Sequence, residues 1–595
     1  MTEETGSSAE YEHSPSASFQ VGKTPQTQMQ NRSHVARHSD NQRRIGGNWL
    51  AKWGPLNIWL VLVGIIAVAV VLVLYGLTRS PVTWDDEVFY AEPARTLASS
   101  GSLAAPMFFD IVGLNHHFFI QPPLYFLVMA GTYRVFGFNE TVARLGSAIP
   151  YIAGIVAVFF LVRSLANRVG LDRLLSSVAG LLAALLLAFN EQSLEMARSG
   201  RGDWLAVLLL FLGWLCVSKL AHAPTHGLIW VSAGFVLLLL AALTHPALAG
   251  PAVGIIVAMI FCSARLGISR RTALVAGLAS AGLVALPYGA WSLLHFDEWR
   301  AQFLHVIVAA GSGDYGSFLS TQVGNVVEVF KYEPAIVAVV LLGLAVFPWR
   351  ASPDVVGALI GIGAVAAAST DPYMNFLLLI ALVPAVVGVV LLTTKVGNRY
   401  RRLTAALVLL ALLNGFMFPV LRAYEIHQFY RPRDPMLVTA NIERFVPRGS
   451  HLMGIPGVYF AAISDGAEFR VYQVLYGVRW GQTTNLQGQF NRAVEQYKPT
   501  WFALPPGIQP DREYCYLPVR FRRVSTFNVQ VSSGLNAAGQ SSVAYVLWTA
   551  ISPGASPTCR ARRTATRLRV AAAGRRLRPP PRDDGRDLGV QAFEG

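Results

Sequence analysis

The chain has 595 residues, of which 53% are hydrophobic and only 14% charged, whereas ordinary soluble proteins carry about 25% charged residues. That balance excludes a soluble globular enzyme, and the dominance of Leu, Val, Ala and Phe excludes a disordered or fibrous chain. The formal charge of +15 sits mostly in loops and tails, with ten Arg in residues 560–595 alone; no basic face on a folded module appears, so nucleic acid is not an expected partner.

Residues 1–54 are rich in Ser, Gln, Asn and Thr and lack the apolar core and cleavage site of a signal peptide. They read as a disordered cytoplasmic tail. Asn57 to Leu77 supplies about 20 apolar residues, enough for one span. The basic residues before it, Arg32 to Lys52, place the N-terminus in the cytoplasm by the positive-inside rule. Residues 78–121 then form an outer loop. Further spans are expected near 141–163, 174–189, 204–220, 228–246, 247–263, 272–294, 335–348, 355–370, 374–393 and 403–421. Pro122 to Phe136 is ambiguous. Reading it as a surface or re-entrant helix keeps the clusters Arg163/Arg168/Arg173, Arg265/Arg270/Arg271 and Lys395/Arg399/Arg401/Arg402 inside. This gives about 11 spans, or 13 if two further short crossings exist.

After Arg422 the composition turns polar. Short β-like runs at His451–Ile463, Phe469–Tyr476, Thr500–Ala503, Phe521–Val531 and Ser541–Thr549 alternate with Gly, Pro, Asp and Asn. The expected organisation is therefore a membrane domain over 55–421 with a catalytic outer loop at 78–121, an extracytoplasmic α/β domain over 422–550, and a basic disordered tail over 551–595. The fold class is an all-α polytopic membrane protein carrying a small C-terminal α/β domain. Cys216 and Cys262 lie in apolar runs and no metal-ligand spacing occurs among the cysteines. Cys515 and Cys559 could pair if exported.

Two stretches are candidates for chemistry. In Trp84-Asp85-Asp86-Glu87-Val88-Phe89-Tyr90, three consecutive acids follow the first span. They read either as a solvated loop end or as a site in which adjacent carboxylates raise one another's pKa, which suits a general base facing a hydroxyl acceptor. Tyr90, Ala94 and Leu97 continue as an amphipathic helix with Arg95 on its polar side. The second stretch is Glu195-Met196-Ala197-Arg198-Ser199-Gly200-Arg201-Gly202-Asp203. It is either a charged loop or an anion site, since guanidinium suits phosphate oxygens and arginine on the outer side needs a reason. His116 and His117 before Phe118 to Pro123, and His245 in an apolar stretch, are polar helix ends or cavity-lining groups. Asp371-Pro372-Tyr373 reads as a helix start, and Gly311 to Gly316 as a loop that could gate a cavity. No phosphate-binding loop, dinucleotide fingerprint or zinc-protease motif is present.

The order of these motifs resembles the superfamily of protein O-mannosyltransferases and lipid A aminoarabinose transferases, which have the GT-C fold. Asp86-Glu87 matches the acidic pair of the first outer loop, followed by Tyr90-Ala91. Pro122-Pro123-Leu124 matches the Pro-Pro-Leu segment, Gly137 to Leu145 a following Gly-x-x-Glu…Ala-Arg-Leu, and Arg201-Gly202-Asp203 a later Arg-x-Asp. Phe89, Gln121 and Pro372 depart from the family pattern, and these departures weigh against aminoarabinose as the sugar. The resemblance implies an inverting transfer from a polyprenyl-phosphate sugar to a cell-envelope acceptor at the outer side of the cytoplasmic membrane. On it, Asp86 is the base, Glu87 orients Asp86 or the sugar, and Arg95, Arg198 or Arg201 meets the phosphate leaving group. Asp85, Tyr90, His117, Gln121, Asp203 and His245 would line the substrate site. Neither a metal nor another cofactor is obligatory. The competing reading is a transporter or flippase for a lipid-linked or small solute. Transporters place ionisable groups near mid-membrane and often repeat their halves, whereas here the acids cluster at a surface and no halves repeat.

Overall fold

The computed structural model describes residues 55–553 apart from residues 82, 84, 110–111, 220–226, 264–267, most of 312–333, 369–373, 396–397, 429, 431–433, 472–483, 505–508, 511–518 and 532–540. Two compact units divide the chain, Met1–Leu60 and Val61–Gly595. Of the first, the described part is the opening of helix α1 (Pro55–Leu74). The proposed partners Cys515 and Cys559, the Asp371 to Tyr373 segment and Ser312 to Gly316 all lie outside the described residues.

Each expected span is a helix. After α1 they are α4 (Glu140–Arg168), α5 (Arg173–Phe189), α7 (Asp203–Lys219), α8 (Gly227–Ala242), α9 (Ala249–Cys262), α10 (Arg270–Leu294), α12 (Pro334–Val346), α13 (Pro353–Ala368), α14 (Met374–Lys395) and α15 (Asn398–Gln428). Three shorter helices accompany them: α2 (Asp85–Ser100), α3 (Leu124–Phe136) and α6 (Glu191–Arg198). A further helix, α11 (Phe296–Gly311), follows α10. Among the described residues, five helices are long and apolar enough to cross a membrane alone, and α5 with α6 makes a sixth candidate bent by 61°. The chain is a multi-pass membrane protein. Helix α3 has 13 residues, about 20 Å at 1.5 Å per residue, which is short of the roughly 30 Å hydrocarbon core.

Local signals fix the helix starts. Asn139, Asp172, Asn190 and Ser269 each accept a hydrogen bond from the backbone N–H three residues on, capping α4, α5, α6 and α10. Between helices, small residues permit close approach. Gly250 and Gly254 of α9 face Gly361 and Gly357 of α13 so closely that a Cβ on any of the four would meet the opposing backbone. This is the small-xxx-small packing of membrane helices. Helix α14 lies at the centre, with 83% of its apolar window buried.

The C-terminal region holds α16 (Pro435–Phe445), β1 (His451–Gly454), α17 (Tyr459–Ser464), β2 (Glu468–Val471), α18 (Thr484–Tyr497), β3 (Trp501–Leu504), β4 (Val519–Val531) and β5 (Ser541–Pro553). The strands form one sheet in the order β2-β1-β3-β5-β4. The pairs β1/β2 and β1/β3 are parallel, while β3/β5 and β4/β5 are antiparallel. The expected strand over His451–Ile463 is corrected: it stops at Gly454, and Pro456 opens a 3-10 turn leading into α17. The aromatic run Tyr459-Phe460 had read as strand because aromatics favour sheets. Here it buries one helical face instead. The hydrophobic core is shared: Val88, Phe89, Tyr90 and Ala94 of α2 pack in one cluster with Ile442, Tyr459, Phe460 and Phe469 of the sheet region. The sheet region therefore packs onto α2 and the loop that follows it through apolar side chains.

Candidate active site

Helix α2 begins with the three acids, where the positive end of the helix dipole favours negative charge. Asp85 opens the helix. The next two residues point to different partners. Asp86 Oδ2 accepts a 2.7 Å bond from Arg201 Nη1, and both side chains are about a quarter exposed. Glu87 is 1% exposed and takes a bidentate pair from Arg144, with Nε at 3.1 Å and Nη2 at 2.9 Å. It also accepts from Gly200 N–H at 3.0 Å. Arg144 is itself 1% exposed, pairs with Glu140 at 3.1 Å and donates to the Leu77 carbonyl. Glu87 is thus sealed behind Arg144 in a buried bracket joining α2, α4 and the α6–α7 turn, and its carboxylate is fully engaged there. Glu87 therefore has no open face, whereas Asp86 keeps one.

Arg201 sits between two carboxylates. Its Nε lies 2.7 Å from Asp203 Oδ2, close in distance but off the hydrogen-bond axis. Its guanidinium carbon is 6.0 Å from the Tyr90 ring centre, on the outer limit of a cation–π contact. Asp203 Oδ1 lies 3.2 Å from His245 Nε2. Burial lowers His245 to about 4, opposed by the pull of Asp203. Its Nδ1 accepts from the Ala247 N–H at 3.2 Å, which leaves the proton of the neutral ring on Nε2, facing Asp203. The structure therefore brings Asp86, Tyr90, Arg201, Asp203 and His245 into one cluster.

Other expected site residues have different work. Arg198 is corrected as a phosphate ligand. It is 1% exposed, and its Nε, Nη1 and Nη2 donate to the carbonyls of Ser80, Leu72, Val73, Tyr75 and Gly76. A guanidinium has five N–H donors, and all are used: four on carbonyls at and just past the end of α1, and one on Ser80. Arg95 is held by Glu92 in a fork, at 2.8 and 2.9 Å. Glu92 is buried and also accepts from Tyr459 O–H at 2.5 Å. Burial opposes the Arg95 charge, but Glu92 and Tyr459 together outweigh it and raise the Arg95 pKa. His117 pairs with Glu298 at 2.6 Å. Gln121 carries a buried Oε1 with no hydrogen-bond partner among the described residues.

Sequence reading passed over Arg144, Glu92 and Tyr459 as functional positions. A signal for Arg144 existed: an arginine inside an apolar helix, four residues after Glu140, is costly unless paired. A separate cavity of about 450 Å³ is lined among others by Thr83, Asn139, Glu140, Thr439 and Ser464, and by none of the five clustered residues. Thr83 donates to Glu140 at 2.8 Å, which ties the cavity wall to the Arg144 bracket.

No family model matches the chain and no curated protein matches it. Among solved structures it is similar to ArnT from Cupriavidus metallidurans bound to undecaprenyl phosphate, at 15% identity and a TM-score of 0.53, over 82% of this chain and 98% of that one. The apo state of the same protein gives 16% identity and a TM-score of 0.53. An oligosaccharyltransferase from Archaeoglobus fulgidus, in its apo form, aligns at 13% identity and a TM-score of 0.47 over 77% of this chain and 70% of that one. Over most of its length, this chain has the GT-C fold.

Proposed function

We propose that the protein is an inverting glycosyltransferase that moves a sugar from a polyprenyl-phosphate donor to a hydroxyl-bearing acceptor of the cell envelope. It acts on the outer side of the cytoplasmic membrane. The observation that carries this reading is the Asp86–Arg201 pair: a partly exposed carboxylate and a partly exposed cation in contact, seated on a fully buried frame. The fold is shared with a protein whose structure holds undecaprenyl phosphate, the same class of lipid phosphate.

In the proposed step, Asp86 accepts the proton of the acceptor hydroxyl as its oxygen forms a bond to the anomeric carbon. The bond from that carbon to the phosphate oxygen breaks, and its electron pair leaves with the lipid phosphate. Arg201 faces the charge that grows on that oxygen, where a fixed cation stabilises the transition state more than the ground state. Asp203 holds Arg201 from behind, and His245, kept neutral by burial, adds no competing positive charge. Lipid phosphate leaves without metal assistance on this route, so no obligatory cofactor is invoked.

Incubating purified protein with a panel of radiolabelled polyprenyl-phosphate sugars and envelope extract tests the reading. Transfer with inversion at the anomeric carbon supports it. Donor-independent movement of a lipid-linked solute across vesicles, without transfer from any donor, would favour a transporter and overturn it.

A further inference from the structure

We propose that His117, His295 and Glu298 bind one divalent transition-metal ion, with zinc as the preferred ion, outside the Asp86 cluster. The ligand atoms of these three side chains all lie within 4.8 Å of one another. His117 Nδ1 is 2.6 Å from Glu298 Oε2, and the His117 and His295 ring centres are 3.8 Å apart at 31°. All three are partly exposed, so an ion can reach them and their side chains have room to close. Zinc bonds of roughly 2.0–2.2 Å need tetrahedral ligand atoms roughly 3.3 Å apart; the His117–Glu298 pair at 2.6 Å would open slightly, and ligand atoms within 4.8 Å need only small side-chain shifts. Two imidazoles and one carboxylate, with a fourth position for water, is a donor set that suits zinc. Magnesium and calcium prefer oxygen alone.

The surroundings are those of a built site. His295 ends α10 and Glu298 lies in the first turn of α11, while His117 comes from the outer loop 181 residues earlier. Gln302, one turn after Glu298, fixes that loop by accepting from Phe119 N–H at 2.6 Å and donating to the carbonyls of His117 at 2.7 Å and Val112 at 3.2 Å. Holding the backbone of a ligand residue in this way orients it, as outer-shell partners do in metal sites. Gly113 adopts φ +77°, and a Cβ there would press on Glu298 Cγ at 3.2 Å, so the loop can close over the carboxylate only with glycine. Trp291 and Phe119 pack at 4.2 Å beside the imidazoles and shield one side. Two imidazoles this close repel if both are protonated. A single dication meets both nitrogens and the carboxylate at once, displacing any proton on His117. The ion would clamp the outer loop to the α10–α11 corner. This inference does not depend on the transferase reading.

The full-length protein, without affinity-tag histidines, is stripped with chelator and titrated with zinc chloride, with metal content and thermal midpoint measured together. One equivalent per chain and a raised midpoint are expected, along with a visible absorption band when cobalt replaces zinc. His295→Ala and Glu298→Gln should each weaken zinc binding at least tenfold, and His116→Ala, the exposed neighbour, should leave it unchanged. Glu298→Gln keeps the side-chain shape, so its midpoint in chelator should equal that of the parent and report folding separately from binding. Equal zinc uptake by the His117→Ala/His295→Ala double variant, no uptake by the parent, or magnesium bound as tightly as zinc would each overturn the proposal.

Discussion

Two arginine–carboxylate pairs stand side by side at the start of α2, and they differ in one property. Asp86–Arg201 is open to solvent on one side, at 27% and 22% exposure, whereas Glu87–Arg144 is sealed at 1% for both members. A sealed pair contributes through what its loss exposes: removing one member leaves an unpaired charge in a low-dielectric interior, while the intact pair adds little net stability. An open pair is weakly stabilising, and its groups can exchange partners with a substrate. Neighbouring acids thus divide into a frame and an open edge, the edge proposed above to be reactive, because successive helix positions point about 100° apart.

The largest effect expected from this contrast lies in the sealed pair. Arg144→Met leaves Glu87 buried beside an apolar side chain and should destabilise the protein by about 3–5 kcal/mol, read as a fall in thermal midpoint in detergent. A midpoint within a degree of the parent would place Glu87 in contact with water and erase the distinction.

Next comes acid sensitivity behind the open pair. His245 is lowered to about 4 by burial, against about 6.5 in the unfolded chain. Between these values the unfolded state binds more protons, so stability is fully present above about pH 6.5 and declines as pH falls toward 4, by up to about 3 kcal/mol. His245→Gln should flatten the midpoint-versus-pH curve over that window. An unchanged curve would assign the acid loss elsewhere.

The third pair is intermediate. Glu92 is buried while Arg95 is 27% exposed, and Tyr459 from the sheet region closes the carboxylate. Tyr459→Phe removes one charge-assisted hydrogen bond and should cost about 1.5–3 kcal/mol. If it lowers transfer activity while the midpoint stays fixed, Glu92 belongs with the reactive edge instead of the frame.

Much of the membrane domain was legible because each span is a continuous apolar run bounded by caps or charges. Its ends were less so: α15 runs on to Gln428, past the expected end at 421, since Arg422 and Tyr424 are as compatible with helix as with loop. In the site, Asp86, Arg201, Asp203 and His245 were legible as polar residue types at the ends of apolar segments. The pairing of Asp86 with Arg201, 115 residues away, was not, because ion-pair partners at that separation are chosen by tertiary packing. The same holds for Arg198. Its neighbours suggested an anion site, but only the fold brings the last carbonyls of α1 to its guanidinium. The strand expected through Ile463 failed where burial of Tyr459 against Glu92 and Phe469 outweighed local preference.

The central claim is that Asp86 carries chemistry while Glu87 carries structure. Its most direct test compares Asp86→Asn with the parent in both sugar transfer and thermal midpoint, using whichever polyprenyl-phosphate donor is active. The account predicts a loss of about 10²–10⁴-fold in kcat, the range for removing a general base, with a midpoint shift no larger than that of a surface substitution. Full transfer activity in Asp86→Asn, or a loss of activity that merely follows unfolding, would contradict it.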